Sequence, residues 1–330
     1  MKIFEGKDIL VTGGCGSIGS EIVRQLLQYN PRQIRVLDND ESGHWRLSQE
    51  IKSPKLRNLI GDVCDRDRVF RAMEGVHYVF HAAALKHVPL CEYNPFEAVR
   101  TNVIGTQNLV DAATNKGVLN FIGISTDKAV NPINTMGATK LLGERLIVNA
   151  ALGASKLKVA CVRFGNVLGS VGSVIPIFRQ QIAEGGPVTV TTPDMTRFFM
   201  TIPQAVKLVL AAADRMNGHE IFVLKMDVAK ITDIAEVMIE NLAAEYGHKP
   251  EDIELKYIGK RPGEKTHEYL FTEDEAPHIV VEKDMFVIRS SPFDPNGVFH
   301  DNAEAIITEG NGRTISKPEI EKILKDSELL

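Results

Sequence analysis

Residues 7–27, KDILVTGGCGSIGSEIVRQLL, decide the fold. Lys7 to Thr12 is a short apolar run that reads as a strand buried on both faces of a parallel sheet. It runs straight into GGCGSIG, and the apolar periodicity that follows predicts a helix over Ile18 to Leu27. Gly13, Gly16 and Gly19 are spaced G-x-x-G-x-x-G, with Ser17 and Ile18 at the helix start. Glycines in that context permit a tight turn, close backbone approach and close helix-on-strand packing. The helix start offers unpaired N–H groups and a positive dipole end to a pyrophosphate. A glycine pattern alone is weak, but here a second strand, Gln33 to Leu37, follows and ends at Asp38, about 20 residues past the turn. A carboxylate there accepts both ribose hydroxyls of an adenosine and repels a 2′-phosphate, which favours NAD over NADP.

Further along, Asn58 to Gly61 reads as a third strand leading into Asp62 and Val63, a pair placed beside the adenine. Asp62 either meets the adenine amino group or caps a helix over Arg66 to Met73, and both readings stay open. His77 to Phe80 is a fourth strand that opens into Ala82, Ala83 and Ala84. Three small residues at a strand end let a cofactor lie against the backbone, although alanines also simply pack well. The polar loop LKHVPLCEYNP then offers Lys86 and His87 as substrate contacts. A helix is expected over Phe96 to Asn115, with Asn102 on it as a cofactor-side residue that hydrogen-bonds nearby backbone.

Phe121 to Lys140, FIGISTDKAVNPINTMGATK, concentrates the reactive side chains. FIGIS reads as another buried strand, and ligands bind at the carboxyl ends of such strands. Thr126, Asp127 and Lys128 emerge there. Thr135 is placed to cap a helix over Met136 to Val148, on which Met136 and Lys140 share a face as residues four apart do. Any one of these charges reads equally well as a solvated loop or helix residue. Their convergence downstream of a nucleotide fingerprint reads as a catalytic site.

The chain has 330 residues, a net charge of -5 and ordinary apolar and charged fractions, which excludes disordered and fibrous classes. No basic patch marks a nucleic-acid partner. No apolar run approaches a membrane span and no basic-then-apolar leader precedes the first strand, so a soluble, cytoplasmic protein is expected. Cys15, Cys64, Cys91 and Cys161 lack metal or redox spacing, and no metal is expected.

The second half reads as sheet completion plus a substrate portion, with no obvious linker between them. Lys158 to Arg163 is a sixth strand whose end delivers Asn166, a sugar or diphosphate contact or else a turn asparagine. Val188 to Val190 and Ile221 to Leu224 read as strands, and Met195 to Phe198 as a loop. Arg197 on that loop is a nucleotide contact or a surface salt bridge. Helices are expected over Pro203 to Met216, Ile231 to Tyr246 and Lys317 to Leu324. Arg261 in KRPGE suits bidentate hydrogen bonding to a diphosphate, and Glu264 is a substrate-side residue that can also serve a following helix start. The architecture is therefore α/β, a doubly wound parallel Rossmann-type sheet. Residues 1–165 form the NAD-binding part, completed by later chain, and 166–330 form mainly a substrate-binding portion.

TGGCGSIGSE, HAAALKHVPLCEYNP, STDKAVNPINTMGATK, RFGNVLGSVGSVIP, MTRFF and RPGEKTHE together resemble the extended short-chain dehydrogenase/reductase family. They are most similar to its polysaccharide-biosynthesis branch of UDP-N-acetylglucosamine 4,6-dehydratases. The resemblance implies NAD, a UDP-sugar substrate and a homo-oligomer. It implies oxidation at sugar C4, loss of water across C5 and C6, and reduction at C6, which regenerates the cofactor. By the same resemblance Asp127 is the acid for the departing C6 hydroxyl and Lys128 the base at C5. Lys140 is the ribose-binding lysine of a Tyr-x-x-x-Lys motif whose tyrosine is Met136 here, a variation found in some dehydratases of this branch. A thioether moves no proton, so Thr126 is left to relay the C4 proton. Two other readings stand beside this one. A UDP-sugar 4-epimerase has no need of the Asp127-Lys128 pair, and a noncatalytic NAD-binding protein has no need of Lys140.

Overall fold

The computed structural model describes residues 1–150, 156–170, 172–289 and 303–330. Six parallel strands come first: β1 (Asp8–Thr12), β2 (Gln33–Asp38), β3 (Leu56–Ile60), β4 (Tyr78–His81), β5 (Asn120–Ile124) and β6 (Lys158–Arg163). They lie in the order 3-2-1-4-5-6. Every residue of β1 and β4 is buried, as short apolar runs must be in a sheet covered by helices on both faces. The connecting helices are α1 (Ser17–Leu27), α2 (Glu41–Glu50), α3 (Arg66–Ala72), α4 (Val88–Tyr93), α5 (Pro95–Val99), α6 (Gly105–Asn115) and α7 (Thr135–Asn149). The strand order reverses at β1, which puts a ligand crevice outside the carboxyl ends of β1 and β4.

The later strands are β7 (Asn166–Leu168), β8 (Val188–Val190), β9 (Thr196–Thr201), β10 (Glu220–Leu224), β11 (Asp227–Lys230), β12 (Leu255–Tyr257), β13 (Ile279–Val281) and β14 (Met285–Ile288). With them run α8 (Val174–Ala183), α9 (Ile202–Arg215), α10 (Ile231–Leu242), α11 (Ala303–Gly310) and α12 (Lys317–Asp326). β10 pairs in parallel with β6, while β14 and β13 add on antiparallel to make nine strands. Sheet completion by later chain thus comes from residues 220–288. The remaining strands build two small sheets, β11-β9-β7 and β12-β8.

Two apolar cores result. One lies against the nine-stranded sheet, and the other gathers Phe178, Val188, Phe199, Ile234, Met238 and Leu324 from the second half. β9 is the wall between them: Phe198 and Met200 face the first core and Phe199 the second, because side chains alternate along a strand. This explains a departure from the sequence reading, which took Met195 to Phe198 as a loop. With both faces buried, β9 shows no polar-apolar alternation to detect.

Other boundaries differ for local reasons. The single helix expected over Phe96 to Asn115 is α5, a π-helical turn over Arg100–Ile104, and α6. Asn134, not Thr135, caps α7, its Oδ1 accepting from the Gly137 N–H at 2.7 Å. Asp65, not Asp62, caps α3. The helix expected to reach Tyr246 stops at Leu242, and a 3-10 turn covers Ala244–Tyr246.

Candidate active site

β5 ends at Ile124, and Thr126 then caps a 3-10 turn over Asp127–Ala129. That turn brings two neighbouring side chains together that a strand would have pointed apart. Lys128 Nζ donates to Asp127 Oδ1 at 3.0 Å and to Asn166 Oδ1, at the start of β7, at 3.1 Å. Thr126 Oγ1 donates to the same Asp127 Oδ1 at 2.9 Å. Asp127 is fully buried, whereas the Lys128 side chain keeps 20% of its surface. Lys128 is therefore the more accessible member of the pair, and Asp127 connects outward through Thr126. Lys140 on α7 donates to the Ile124 carbonyl at 2.6 Å, and burial lowers its amine from the ordinary lysine value.

Sequence reading missed the floor of this site. The segment after β12 docks onto the β5 turn: Asn134 Nδ2 donates to the Gly263 carbonyl at 2.8 Å and Lys265 Nζ to the Val130 carbonyl at 2.6 Å. Glu268 is buried beneath, with Oε1 at 3.9 Å from Lys128 Nζ and Oε2 at 3.4 Å from Lys265 Nζ. The RPGEKTHE motif contains both residues, but nothing in the sequence says that it lands on residues 127–134.

The dinucleotide side is built around Gly13, which has a φ of 66°. A Cβ there would stand 2.5 Å from the Ala83 nitrogen, so only glycine lets the end of β4 come this close. Ala82 N donates to the Thr12 carbonyl, and a Cβ on Gly19 would stand 2.1 Å from the Gly13 carbonyl oxygen. Ala82 and Ala83 thus lie against the turn, and α1 begins at Ser17 and Ile18 with Gly16 as its N-cap. Asp38 closes the other end, accepting from Cys15 N at 2.9 Å and Asp40 N at 3.1 Å. A carboxylate has about four acceptor positions, so Asp38 retains room for a ribose. Asp62 accepts from Cys64 N at 2.8 Å and from Asn39 Nδ2 at 3.1 Å, tying the ends of β2 and β3 together beside this site. Beneath, His81 bridges Thr12 Oγ1 at 2.8 Å and Thr106 Oγ1 at 2.9 Å. Its pKa is pushed down to about 3 by burial and then by Lys140, which leaves a neutral strut.

Asn102, as expected, hydrogen-bonds nearby backbone: its amide meets the Leu85 N–H and carbonyl, each at 2.9 Å, and Thr139 Oγ1 at 3.0 Å, so it positions the loop after β4. Several other expected contacts are placed otherwise. Val63 packs against Gly105, and its carbonyl accepts from Asn108. Met136 is buried with Cys91 and Ala98, so it takes no step in the chemistry. Arg197 is not a surface salt bridge: it is buried, and Nη1 donates to the Thr196 and Thr266 carbonyls. The next helical turn after Glu264 among the described residues covers Ala276–His278, too far along for Glu264 to cap, and the Glu264 Oε2 is buried without a hydrogen bond. His87 is exposed with its ring against Gly172, Lys86 is exposed beside it, and Arg261 is exposed at the turn before Gly263.

Residues 9–290 match the polysaccharide biosynthesis protein family. The chain belongs to that family. It is an extended short-chain dehydrogenase/reductase of the polysaccharide branch. A protein of Methanocaldococcus jannaschii called an uncharacterized membrane protein is 56% identical, over 98% of this chain and 97% of its own. Among the described residues here, no helix is long and apolar enough to cross a membrane. The Bacillus subtilis protein EpsC, a probable polysaccharide biosynthesis protein, is 48% identical, and the chain spans only 46% of its length. A Campylobacter jejuni UDP-N-acetylglucosamine 4,6-dehydratase (inverting) is 42% identical over 85% of this chain and 81% of its own. A Rickettsia rickettsii UDP-glucose 4-epimerase is 43% identical over 83% and 80%. Among solved structures, Pen from Bacillus thuringiensis superposes with a TM-score of 0.91 at 43% identity, covering 99% of both chains. The dTDP-glucose 4,6-dehydratase DesIV of Streptomyces venezuelae, solved with NAD, shares the fold at a TM-score of 0.71 and 23% identity, over 78% of this chain and 86% of its own.

Proposed function

We propose that the protein is a UDP-N-acetylglucosamine 4,6-dehydratase that uses NAD. The observation carrying this is the Lys128 amine held between Asp127 and Asn166 at the mouth of the crevice, which supplies a base with an acid behind it. Bound NAD would supply the oxidation at sugar C4 and the reduction at C6. The chain's residues move the protons. Thr126 takes the C4 hydroxyl proton as it gives its own to Asp127. Lys128 takes the C5 proton. Asp127 returns its proton through Thr126 to the departing C6 hydroxyl, so the water released carries the proton that left the C4 hydroxyl. Lys128 then hands its proton back to C5, and every group ends as it began. Incubation with UDP-N-acetylglucosamine, followed by mass spectrometry, should show a product lighter by one water. An unchanged mass would refute the reading.

The epimerase named among the relatives supports a second reading, in which a UDP-sugar is inverted at C4. That reaction conserves mass, and it gives no exchange of C5 hydrogen with heavy water. The same incubation therefore separates the two.

Two further outcomes follow from the site. Protein purified and then denatured should release NAD and no NADP, because Asp38 faces the adenosine ribose as a carboxylate. Release of NADP would overturn the role given to Asp38. Arg261→Ala should weaken substrate binding by about 1–3 kcal/mol, the scale of a charge-assisted pair to a diphosphate, with the fold intact. An unchanged KM would place Arg261 outside the site.

A further inference from the structure

We propose that Glu268 is a positioning residue for Lys128, whose carboxylate sets the charge state of that amine from beneath and, through Lys265, ties it to the docked 261–268 segment. The inference deepens the dehydratase reading and takes from it only the name of the step that Lys128 performs.

Glu268 arrives from the far end of the chain yet lies under the β5 turn, 8% exposed. Its Oε1 stands 3.9 Å from Lys128 Nζ, too far for a hydrogen bond and close enough for strong Coulomb attraction in a buried place. Its Oε2 is 3.4 Å from Lys265 Nζ and makes no hydrogen bond, so this carboxylate is held by charge more than by donors. Buried carboxylate oxygens ordinarily collect hydrogen bonds, and one left without a donor beside two lysines points to an electrostatic use.

Among the described residues, Lys128 faces Asp127 on its own turn and Glu268 on the docked segment, with neutral Asn166 on β7. Lys265 on the same segment and Arg197 on β9 act in turn on Glu268. Burial, with Asp127 adding to it, outweighs Lys128, Lys265 and Arg197 and holds the Glu268 pKa above the ordinary carboxylate value. The carboxylate favours the ammonium form of Lys128, and Lys265 opposes it. Removing the first must make Lys128 easier to deprotonate, and removing the second must make it harder.

The test reads that charge directly, with no substrate present. Protein carrying lysine labelled at 13Cε is titrated by NMR, and the Lys128 signal is identified by its loss in Lys128→Met. In Glu268→Gln the Lys128 midpoint should fall by about one pH unit, tenfold in proton affinity. In Lys265→Met it should rise. Glu268→Asp, which keeps the charge, should restore a midpoint near that of the unaltered protein. An unmoved midpoint in Glu268→Gln, or an equal shift in Glu268→Asp, overturns the proposal by making Glu268 a packing residue. Should Glu268→Gln fail to fold, the Lys265→Met titration decides, and no rise overturns it. With UDP-N-acetylglucosamine, the rising limb of kcat against pH should move down in Glu268→Gln while KM stays within about twofold. If the unaltered protein dehydrates nothing, the function proposed above fails, yet the titration still decides the role of Glu268.

Discussion

Lys128→Met is expected to stop the release of water, lowering the rate by about 10²–10⁴-fold, the usual contribution of a positioned proton acceptor. Methionine keeps the length of the stem and removes only the amine, so Asp127 and Asn166 lose their shared donor while the turn keeps its backbone hydrogen bonds. Deuterium from heavy water should no longer enter C5. Asp127→Asn should differ: the amide holds the turn but neither takes the C4 hydroxyl proton through Thr126 nor returns it, so oxidation at C4, C5 exchange and water loss all slow, whereas Lys128→Met still allows oxidation at C4. The two variants thus divide the proposed step into its base half and its acid half. Near-normal water loss in Lys128→Met would place the base elsewhere, and Lys86 and His87 in the loop after β4 would be the next candidates.

Arg163→Met should cost about 3–5 kcal/mol of stability, read from the denaturant midpoint, which is the scale for removing one partner of a buried ion network. Arg163 ends β6 with 1% of its side chain exposed and donates to both oxygens of Glu144 on α7 at 2.7 Å and both of Glu275 at 2.8 Å. Burial alone would lower the guanidinium pKa, but Glu144 and Glu275 outweigh it and raise it. The variant leaves two carboxyls buried without the cation that hydrogen-bonds them. Burial raises the Glu275 pKa and Arg163 outweighs that to leave it depressed, so its contribution is present above the unfolded carboxylate value and fades as pH falls through the folded one. Adding Glu144→Gln and Glu275→Gln should recover much of the loss. A midpoint within about 1 kcal/mol of the unaltered protein would show that water reaches the site.

The glycine turn, Asp38, and the parallel strands up to β6 were legible because each is written in a local pattern: an apolar run, a glycine spacing, an acid at a strand end. The Asp127-Lys128 pair was legible for the same reason. What escaped depends on distant chain. Asn102 and Met136 occupy positions that suggest chemistry, but helices and loops from elsewhere bury them. Arg197 looked exposed because its two carbonyl partners include one at Thr266, which no local pattern reveals. Glu268 was hidden most completely, since its meaning lies in its approach to Lys128.

The return of β10, β14 and β13 to the main sheet also fixes where this chain can be cut. A piece ending at residue 165 would bare the full length of β6 as an open edge, with its ladder N–H and C=O groups ready to pair with any other strand. The complementary piece would carry three hydrophobic strands with no sheet to join. Gene fusion and domain exchange in proteins of this plan therefore have to move residues 8–288 as one block, and the length of the recombining unit is set by hydrogen-bond pairing instead of by the apparent break between two cores.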